Sequence, residues 1–119
     1  MKLPGSDHPI TITANPKRVR VTAGNLVIAD TTHALTLKEA SYPAVQYVPR
    51  ADANMALLKR TERVTNCPYK GEARYFSVDA GSKTLENAIW TYEAPFPAMT
   101  EIAGRLAFYP DKVKIEEVA

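Results

Sequence analysis

The chain has 119 residues and a net charge of +2, with 45% hydrophobic and 24% charged residues. This length predicts a single domain, because two cores in so short a chain would each bury too little surface. The composition is typical of a soluble globular protein and excludes a disordered chain. The small charge gives no support for nucleic-acid binding, and the single cysteine excludes an internal disulfide and zinc sites built on paired cysteines.

Membrane and secretion signals are missing from the sequence. The longest stretch without a charged residue is residues 40–49, ten residues, whereas a spanning helix needs about 20 apolar ones. Residues 1–9 lack the apolar core of a secretory signal. We therefore expect a cytoplasmic protein with neither a membrane nor a nucleic acid as partner.

Strand patterns dominate the first half of the chain. Val19 and Val21 alternate with polar residues, which is the period of a strand with one buried face. The link Gly24-Asn25 predicts a hairpin, since glycine supplies the positive φ of a primed turn. The predicted strands here are residues 18–22, 26–29, 34–37 and 45–47. The first 16 or so residues are expected to lie along the surface, which divides the chain into an extension, 1–17, and one β domain, 18–119.

Two short helices are predicted. Residues 52–58 form the better candidate, because Asp52 can cap the free amides while Met55 and Leu58 fall on one face. Residues 97–103 form about one further turn, with Pro97 near its start and Gly104 as its stop.

The second half returns to strands. Residues 59–65 are polar with high β-propensity, which is typical of an edge strand. Residues 87–93 are expected to pair antiparallel with residues 73–78, and a last hairpin turns at Pro110-Asp111. The predicted strands are residues 59–65, 73–78, 87–93, 106–109 and 113–118. The whole pattern predicts an all-β, mainly antiparallel single domain with two short helices.

Four blocks of sequence carry a specific resemblance. They are Tyr47-Val48-Pro49-Arg50, Cys67-Pro68-Tyr69-Lys70-Gly71, Ile89-Trp90-Thr91-Tyr92 and Ala107-Phe108-Tyr109-Pro110-Asp111-x-Val113. In this order they resemble the bacterial and fungal family called domain of unknown function 427, over roughly residues 18–118. The resemblance implies a β-tent fold, shared with methionine sulfoxide reductase B and the thalidomide-binding domain of cereblon. Those relatives often carry a four-cysteine zinc site, which one cysteine cannot make.

The family is sometimes labelled a nucleotidyltransferase, and the residues argue against that activity. Nucleotidyl transfer needs two close carboxylates to hold Mg²⁺ beside the phosphates. The sequence contains no Asp-x-Asp, and its five glycines are dispersed rather than gathered in a phosphate-binding loop. We expect no metal site and no cofactor.

Aromatic residues form the most informative set. Trp90 and Tyr92 project from one strand face, with Tyr75 on the neighbouring strand and Tyr47 on another. They are either a core with hydroxyls at its rim or the wall of a pocket for a small planar or cationic ligand. In a pocket, Trp90 should be half-buried with its N–H toward solvent, water or ligand, while Ile89 points to the core.

Two cations are candidates for the polar ends of that pocket. Arg50 offers a planar fork that suits a carboxylate or phosphate, and Lys70 offers a point charge. Both could equally be solvated, or could pair with Asp52 and Glu72. The predicted ligand-binding residues are Tyr47, Arg50, Lys70, Tyr75, Trp90 and Tyr92.

Cys67 and Lys70 are the candidates for catalysis. Lys70 is close enough in sequence to favour a Cys67 thiolate, but a lone cysteine before a proline is more often a small buried hydrophobe. A cysteine enzyme also needs a base, and His8 and His33 lie in no motif and are expected to be exposed. Three functions therefore stay open: binding of a small molecule, group transfer or hydrolysis by Cys67 or Lys70, and an interaction domain without a pocket. The sequence indicates no oligomeric state.

Overall fold

The computed structural model describes residues 1–118, which contain ten β-strands and three short 3-10 turns. The strands are β1 (Ile10–Ala14), β2 (Arg18–Ala23), β3 (Leu26–Thr31), β4 (Leu35–Glu39), β5 (Val45–Tyr47), β6 (Leu58–Cys67), β7 (Gly71–Asp79), β8 (Thr84–Thr91), β9 (Leu106–Phe108) and β10 (Lys114–Val118). The 3-10 turns are Arg50–Asp52, Met55–Leu57 and Pro97–Ile102.

The strands form three antiparallel sheets. Their orders are β1-β4-β5, β10-β2-β3 and β6-β7-β8-β9, and every pair is antiparallel. Strand makes up 54% of the chain, so the all-β, mainly antiparallel class is confirmed. The β2-β3 hairpin at Gly24, with φ +59°, and the β7-β8 pairing are also as predicted.

The four-stranded sheet, called here the central sheet, buries both of its faces. Strand alternation sends Phe76, Ile89 and Phe108, which are in register, to the side of the β10-β2-β3 sheet. The adjacent set of paired residues faces the β1-β4-β5 sheet and consists of Tyr75, Trp90 and Ala107. Ile89 and Trp90 therefore lie in different hydrophobic clusters, as the alternation predicts.

The predicted helix over residues 52–58 is wrong. Its backbone is interrupted at Ala53, which is extended (φ −113°, ψ 150°) and bridges to Ala29 of β3. Asn54 N–H donates to the Ile28 carbonyl at 2.8 Å, a bond that a helix could not make. The Asp52 carboxylate caps nothing and instead accepts a 2.7 Å hydrogen bond from the Thr31 hydroxyl. A sheet contact outweighs a weak local helix preference here.

The predicted last hairpin is also wrong. β9 pairs with β8 in the central sheet, whereas β10 pairs with β2 in another sheet. The turn after Tyr109, where Lys112 N–H donates to the Tyr109 carbonyl at 3.0 Å, carries the chain from one sheet to the other. Each of the two strands thereby pairs with a strand that is longer than itself and has a buried face.

The N-terminal residues take part in a sheet. β1 pairs with β4 in the register Ile10↔Glu39 to Ala14↔Leu35, although it lies within the predicted extension, residues 1–17. The sheet therefore begins eight residues before the predicted domain start at residue 18. No helix within residues 1–118 is long and apolar enough to cross a membrane.

Candidate functional site

A cleft of about 390 Å³ lies between the β1-β4-β5 sheet and the Trp90 face of the central sheet. Five of the six tyrosines and the single tryptophan of the chain line it. These aromatic residues are Tyr42, Tyr47, Tyr75, Trp90, Tyr92 and Tyr109. Glu39, Cys67 and Lys70 supply the polar lining, and we call the whole the aromatic cleft.

Trp90 lies at the centre of the aromatic lining and is half-buried, as predicted. Its ring meets Tyr47 edge-on, at 6.4 Å and 87°, and Tyr109 at 4.5 Å and 46°. The indole N–H donates a 3.3 Å hydrogen bond to Tyr47 Oη. The expectation that this N–H faces solvent, water or ligand is therefore wrong, because Tyr47 projects from β5 against the indole edge.

The hydroxyls of Tyr47 and Tyr92 are neutral donors in this cleft. Burial raises the pKa of both phenols well above the ordinary value of 10, since removal from water penalises the charged form. Within residues 1–118, Tyr92 Oη has no hydrogen-bond partner, and Tyr47 Oη only accepts from Trp90. Both O–H groups are thus free to donate.

Tyr75 and Tyr109 form the side of the cleft nearest to Arg63. The Tyr75 hydroxyl lies 2.8 Å from Thr65 Oγ1, and the Arg63 guanidinium lies 4.9 Å above the Tyr75 ring. Burial alone would raise the pKa of Tyr75, but the hydrogen bonds to Thr65 and Tyr109 and the Arg63 charge lower it. Burial, with the Tyr75 contact, raises the pKa of Tyr109 to about 12.

A buried ion pair forms the polar end of the cleft. Lys70 is 6% exposed, and its ammonium donates to Glu39 and lies 3.8 Å from Cys67 Sγ. Glu39 Oε2 is also 2.8 Å from His8 Nε2. Burial raises the pKa of Glu39, but the contacts with Lys70 and His8 hold it below its ordinary value. The alternatives for Lys70, a solvated charge or a pair with Glu72, do not occur.

Residues 1–9, called here the N-terminal arm, cover the region beside this ion pair. The His8 ring stacks on Tyr69 at 4.0 Å and 4°, and its side chain is 23% exposed. Lys2 N–H donates to the Pro68 carbonyl at 2.7 Å. The expectation that His8 is exposed is therefore wrong, whereas His33 is exposed as predicted.

Arg50 lies outside the aromatic cleft. Its Nε donates to the Gly104 carbonyl at 2.6 Å and its Nη2 to Glu93 at 3.0 Å. The guanidinium lies 5.5 Å from the Phe76 ring, on the other face of the central sheet. Arg60 donates to the same carboxylate. The two arginines, of which Arg60 has the larger effect, lower the pKa of Glu93 to about 2.

Five of the six predicted ligand-binding residues thus meet in one cleft, and Arg50 does not. Three polar or aromatic lining residues were missed as site residues, Glu39, Tyr42 and Tyr109, as was His8 beside the cleft. Glu39 follows Leu37 by two residues, so strand alternation could have placed it on the cleft face. Tyr42, 62% exposed, lies in the loop after β4 and carried no signal. Within residues 1–118, no group of three or more His, Cys, Asp or Glu side chains could hold a metal ion.

The fold and the site define an antiparallel β protein with an aromatic cleft that ends at a buried lysine–glutamate pair. The chain belongs to the family described as domain of unknown function 427, whose sequence model, labelled NTP_transf_9, matches residues 11–119. The resemblance found in the sequence is thereby confirmed. The match begins after the N-terminal arm, so His8 lies outside the matched segment. No curated protein matches the chain.

Proposed function

We propose that this protein binds a small molecule in the aromatic cleft. The observation that carries the proposal is the concentration of five of six tyrosines and the single tryptophan on one cleft of about 390 Å³. Ligand sites are typically concave, mostly apolar, about 300–1,000 Å³ in volume, and contain a few placed polar groups. The Lys70–Glu39 pair and the free phenol O–H groups are such groups.

A purely structural aromatic core explains the same residues less well. In a core, tyrosine hydroxyls usually find partners when they are buried. Tyr92 as a whole is only 7% exposed, but its hydroxyl oxygen, which has no partner within residues 1–118, stays accessible beside the cleft. Trp90 and Tyr109 also keep part of their rings accessible beside the cleft. These features support an opening for a ligand rather than a closed core.

A matched pair of valine variants tests the proposal. Val45 is half-buried and lines the cleft, so Val45→Phe should fill it. Val27 is exposed on β3, in another sheet and outside the cleft lining, and Val27→Phe adds the same group there. Ligand-detected NMR against a panel of one- and two-ring compounds should show binders that Val45→Phe loses and Val27→Phe keeps. A panel without binders, or binders indifferent to Val45→Phe, would contradict the proposal.

An enzyme that uses Cys67 or Lys70 is the second candidate. The contact of 3.8 Å between Cys67 Sγ and Lys70 Nζ at the cleft end favours it. Alkylation of Cys67 by iodoacetamide at pH 7 distinguishes the two functions. A structural half-buried thiol reacts more slowly than the same thiol in the urea-unfolded chain, whereas a reactive nucleophile reacts faster. An interaction domain without a pocket remains the third hypothesis.

The β-tent likeness and the cytoplasmic location remain predictions. The first rests on the family resemblance, and the second on a single unpaired cysteine, which needs no oxidising compartment. The prediction that nucleic acid is not a partner rests on the small net charge of +2.

A further inference from the structure

We infer that the ligand of the aromatic cleft is an uncharged planar ring that carries a hydrogen-bond acceptor, such as a carbonyl oxygen. The inference rests on the proposed function and narrows it to a chemical class. Three properties of the cleft carry it: its balanced charges, its unused donors and its size.

The charges of the cleft already satisfy one another. Within residues 1–118, Glu39 and Lys70 are the only charged side chains in its lining, and they bind each other. Glu39 is further held by His8. An ionic ligand would lose part of its water without gaining a free counter-charge, which is costly. The charge balance therefore favours a neutral ligand.

A cationic ligand would meet an additional obstacle. Aromatic faces attract cations, but the Arg63 guanidinium already lies over the Tyr75 ring, 4.9 Å from its centre. A second cation against this ring would be repelled by Arg63, so the ring faces are better used for stacking on another ring.

The donors of the cleft lack acceptors. Trp90 N–H donates to Tyr47 Oη, which leaves the Tyr47 hydroxyl hydrogen without an acceptor among residues 1–118. The Tyr92 hydroxyl is unpartnered within the same residues, although the residue is 7% exposed. An acceptor atom on the ligand would satisfy these groups, and an unsatisfied polar group is costly when its water is removed. A donor-only ligand could pair with the Tyr92 oxygen but would leave both hydroxyl hydrogens without an acceptor.

The size of the cleft sets the size of the ring system. A volume of about 390 Å³ is near the lower end of the range for ligand sites, which suits one or two rings. The Trp90 and Tyr109 rings, inclined at 46°, offer faces for offset stacking.

Three compounds with one ring and different charges test the inference. Benzamide is neutral and carries a carbonyl, benzoate is its anionic counterpart, and benzylamine is cationic. Titration of each into the full chain, followed by ligand-detected NMR and by the fluorescence of Trp90, gives the order of affinity. We expect benzamide to bind at least about ten-fold more tightly than either ion, as expected when a charge is desolvated without a partner.

Tyrosine variants test the donor. Tyr92→Phe should weaken benzamide several-fold and leave the weak binding of benzylamine unchanged. Tyr69→Phe, outside the cleft lining, is the matched control and should bind benzamide like the original chain. Equal benzamide binding in Tyr92→Phe and the original chain overturns the role of Tyr92 as donor.

The outcomes separate the ligand class from the proposed function. Tighter binding of benzoate or benzylamine than of benzamide overturns the class, while loss of that binding in Val45→Phe still supports a ligand cleft. No binding of any of the three also overturns the class, and the compound panel with Val45→Phe then decides the proposed function alone.

Discussion

Trp90 and Tyr92 line one cleft but differ in what their polar groups do. The Trp90 N–H is bonded to Tyr47, whereas the Tyr92 hydroxyl is free within residues 1–118. Ile89, which directly precedes Trp90, points to the opposite face of the sheet and is fully buried in the other cluster. Alternation along one strand thus separates a core residue from residues available to a ligand.

Stability measurements should reproduce this division. Trp90→Ala should cost clearly less than the roughly 3–5 kcal/mol of a fully buried tryptophan, because Trp90 is half-buried. Tyr92→Phe should change the free energy of unfolding by less than about 0.5 kcal/mol, since it removes an unpartnered hydroxyl. Ile89→Ala is the control and should cost about 2–5 kcal/mol. Urea unfolding measures all three, and a full buried-tryptophan cost for Trp90→Ala would contradict an open cleft.

At the scale of the element, the N-terminal arm is held to the Lys70 end of the cleft by the His8 side chain and by backbone hydrogen bonds on either side of it. His8 stacks on Tyr69 and bonds to Glu39. Backbone bonds from Lys2 to Pro68 and from Ala40 to Pro9 fix the arm on either side of it. Because Pro68 directly follows the half-buried Cys67, we expect the arm to limit access to this thiol.

Loss of the His8 contacts should expose Cys67. We expect His8→Ala to raise the rate of Cys67 alkylation by iodoacetamide several-fold at pH 7, because the arm loses its ring stack and its carboxylate bond. His33→Ala removes an exposed histidine elsewhere and should leave the rate unchanged. Identical rates in the two variants would show that the arm does not cover the thiol.

A second connection between elements gives a pH dependence. Glu93, after β8, accepts hydrogen bonds from Arg60 of β6 and from Arg50 of the first 3-10 turn. Its pKa is about 2 in the folded chain, below the ordinary 4.5. A carboxylate with a lowered pKa contributes stability above its unfolded pKa, and the contribution is lost as the pH falls through the folded pKa.

Glu93→Gln should therefore make the free energy of unfolding less dependent on pH between about 4.5 and 2. This interval lies between the pKa of Glu93 in the unfolded chain and its pKa in the folded chain. Glu62→Gln, at an exposed position, should keep the slope of the original chain. The measurement is the urea midpoint at steps of pH across this interval. Equal slopes in Glu93→Gln and the original chain would contradict a stabilising Arg60–Glu93–Arg50 contact.

At the scale of the whole molecule, the central sheet joins both hydrophobic clusters. Its Phe76 face packs on the β10-β2-β3 sheet and its Tyr75 face on the β1-β4-β5 sheet. Neither outer sheet can separate without exposing one face of the central sheet to water. The two clusters therefore belong to one folding unit.

Unfolding should accordingly occur in one transition. Trp90 fluorescence reports the cluster beside the cleft, and far-ultraviolet circular dichroism reports all the strands. We expect coincident urea curves from the two signals, as in a two-state domain of this size. A fluorescence change that precedes the loss of strand signal would mean that the cleft side opens separately.

The sequence alone determined those features of the fold that depend only on residues close together in sequence, namely several strands and the faces on which their residues lie. Strands with a clear period of two, such as β2 and β5, were found, and the same period placed Trp90 and Tyr92 on one face opposite Ile89. Alternation needs only the geometry of one strand, so it can be recognised without knowledge of its partner.

The tertiary structure decided which distant residues meet. Both partners of Glu39, His8 and Lys70, are 31 residues away from it in sequence, and no local pattern selects them among the other charges. Arg50 forms an ion pair with Glu93, which is 43 residues away in sequence, and does not line the cleft. β9 and β10 joined different sheets, although their spacing suits a hairpin. Such choices are made by the burial of whole strand faces, since the local preferences they override amount to only about 1 kcal/mol or less.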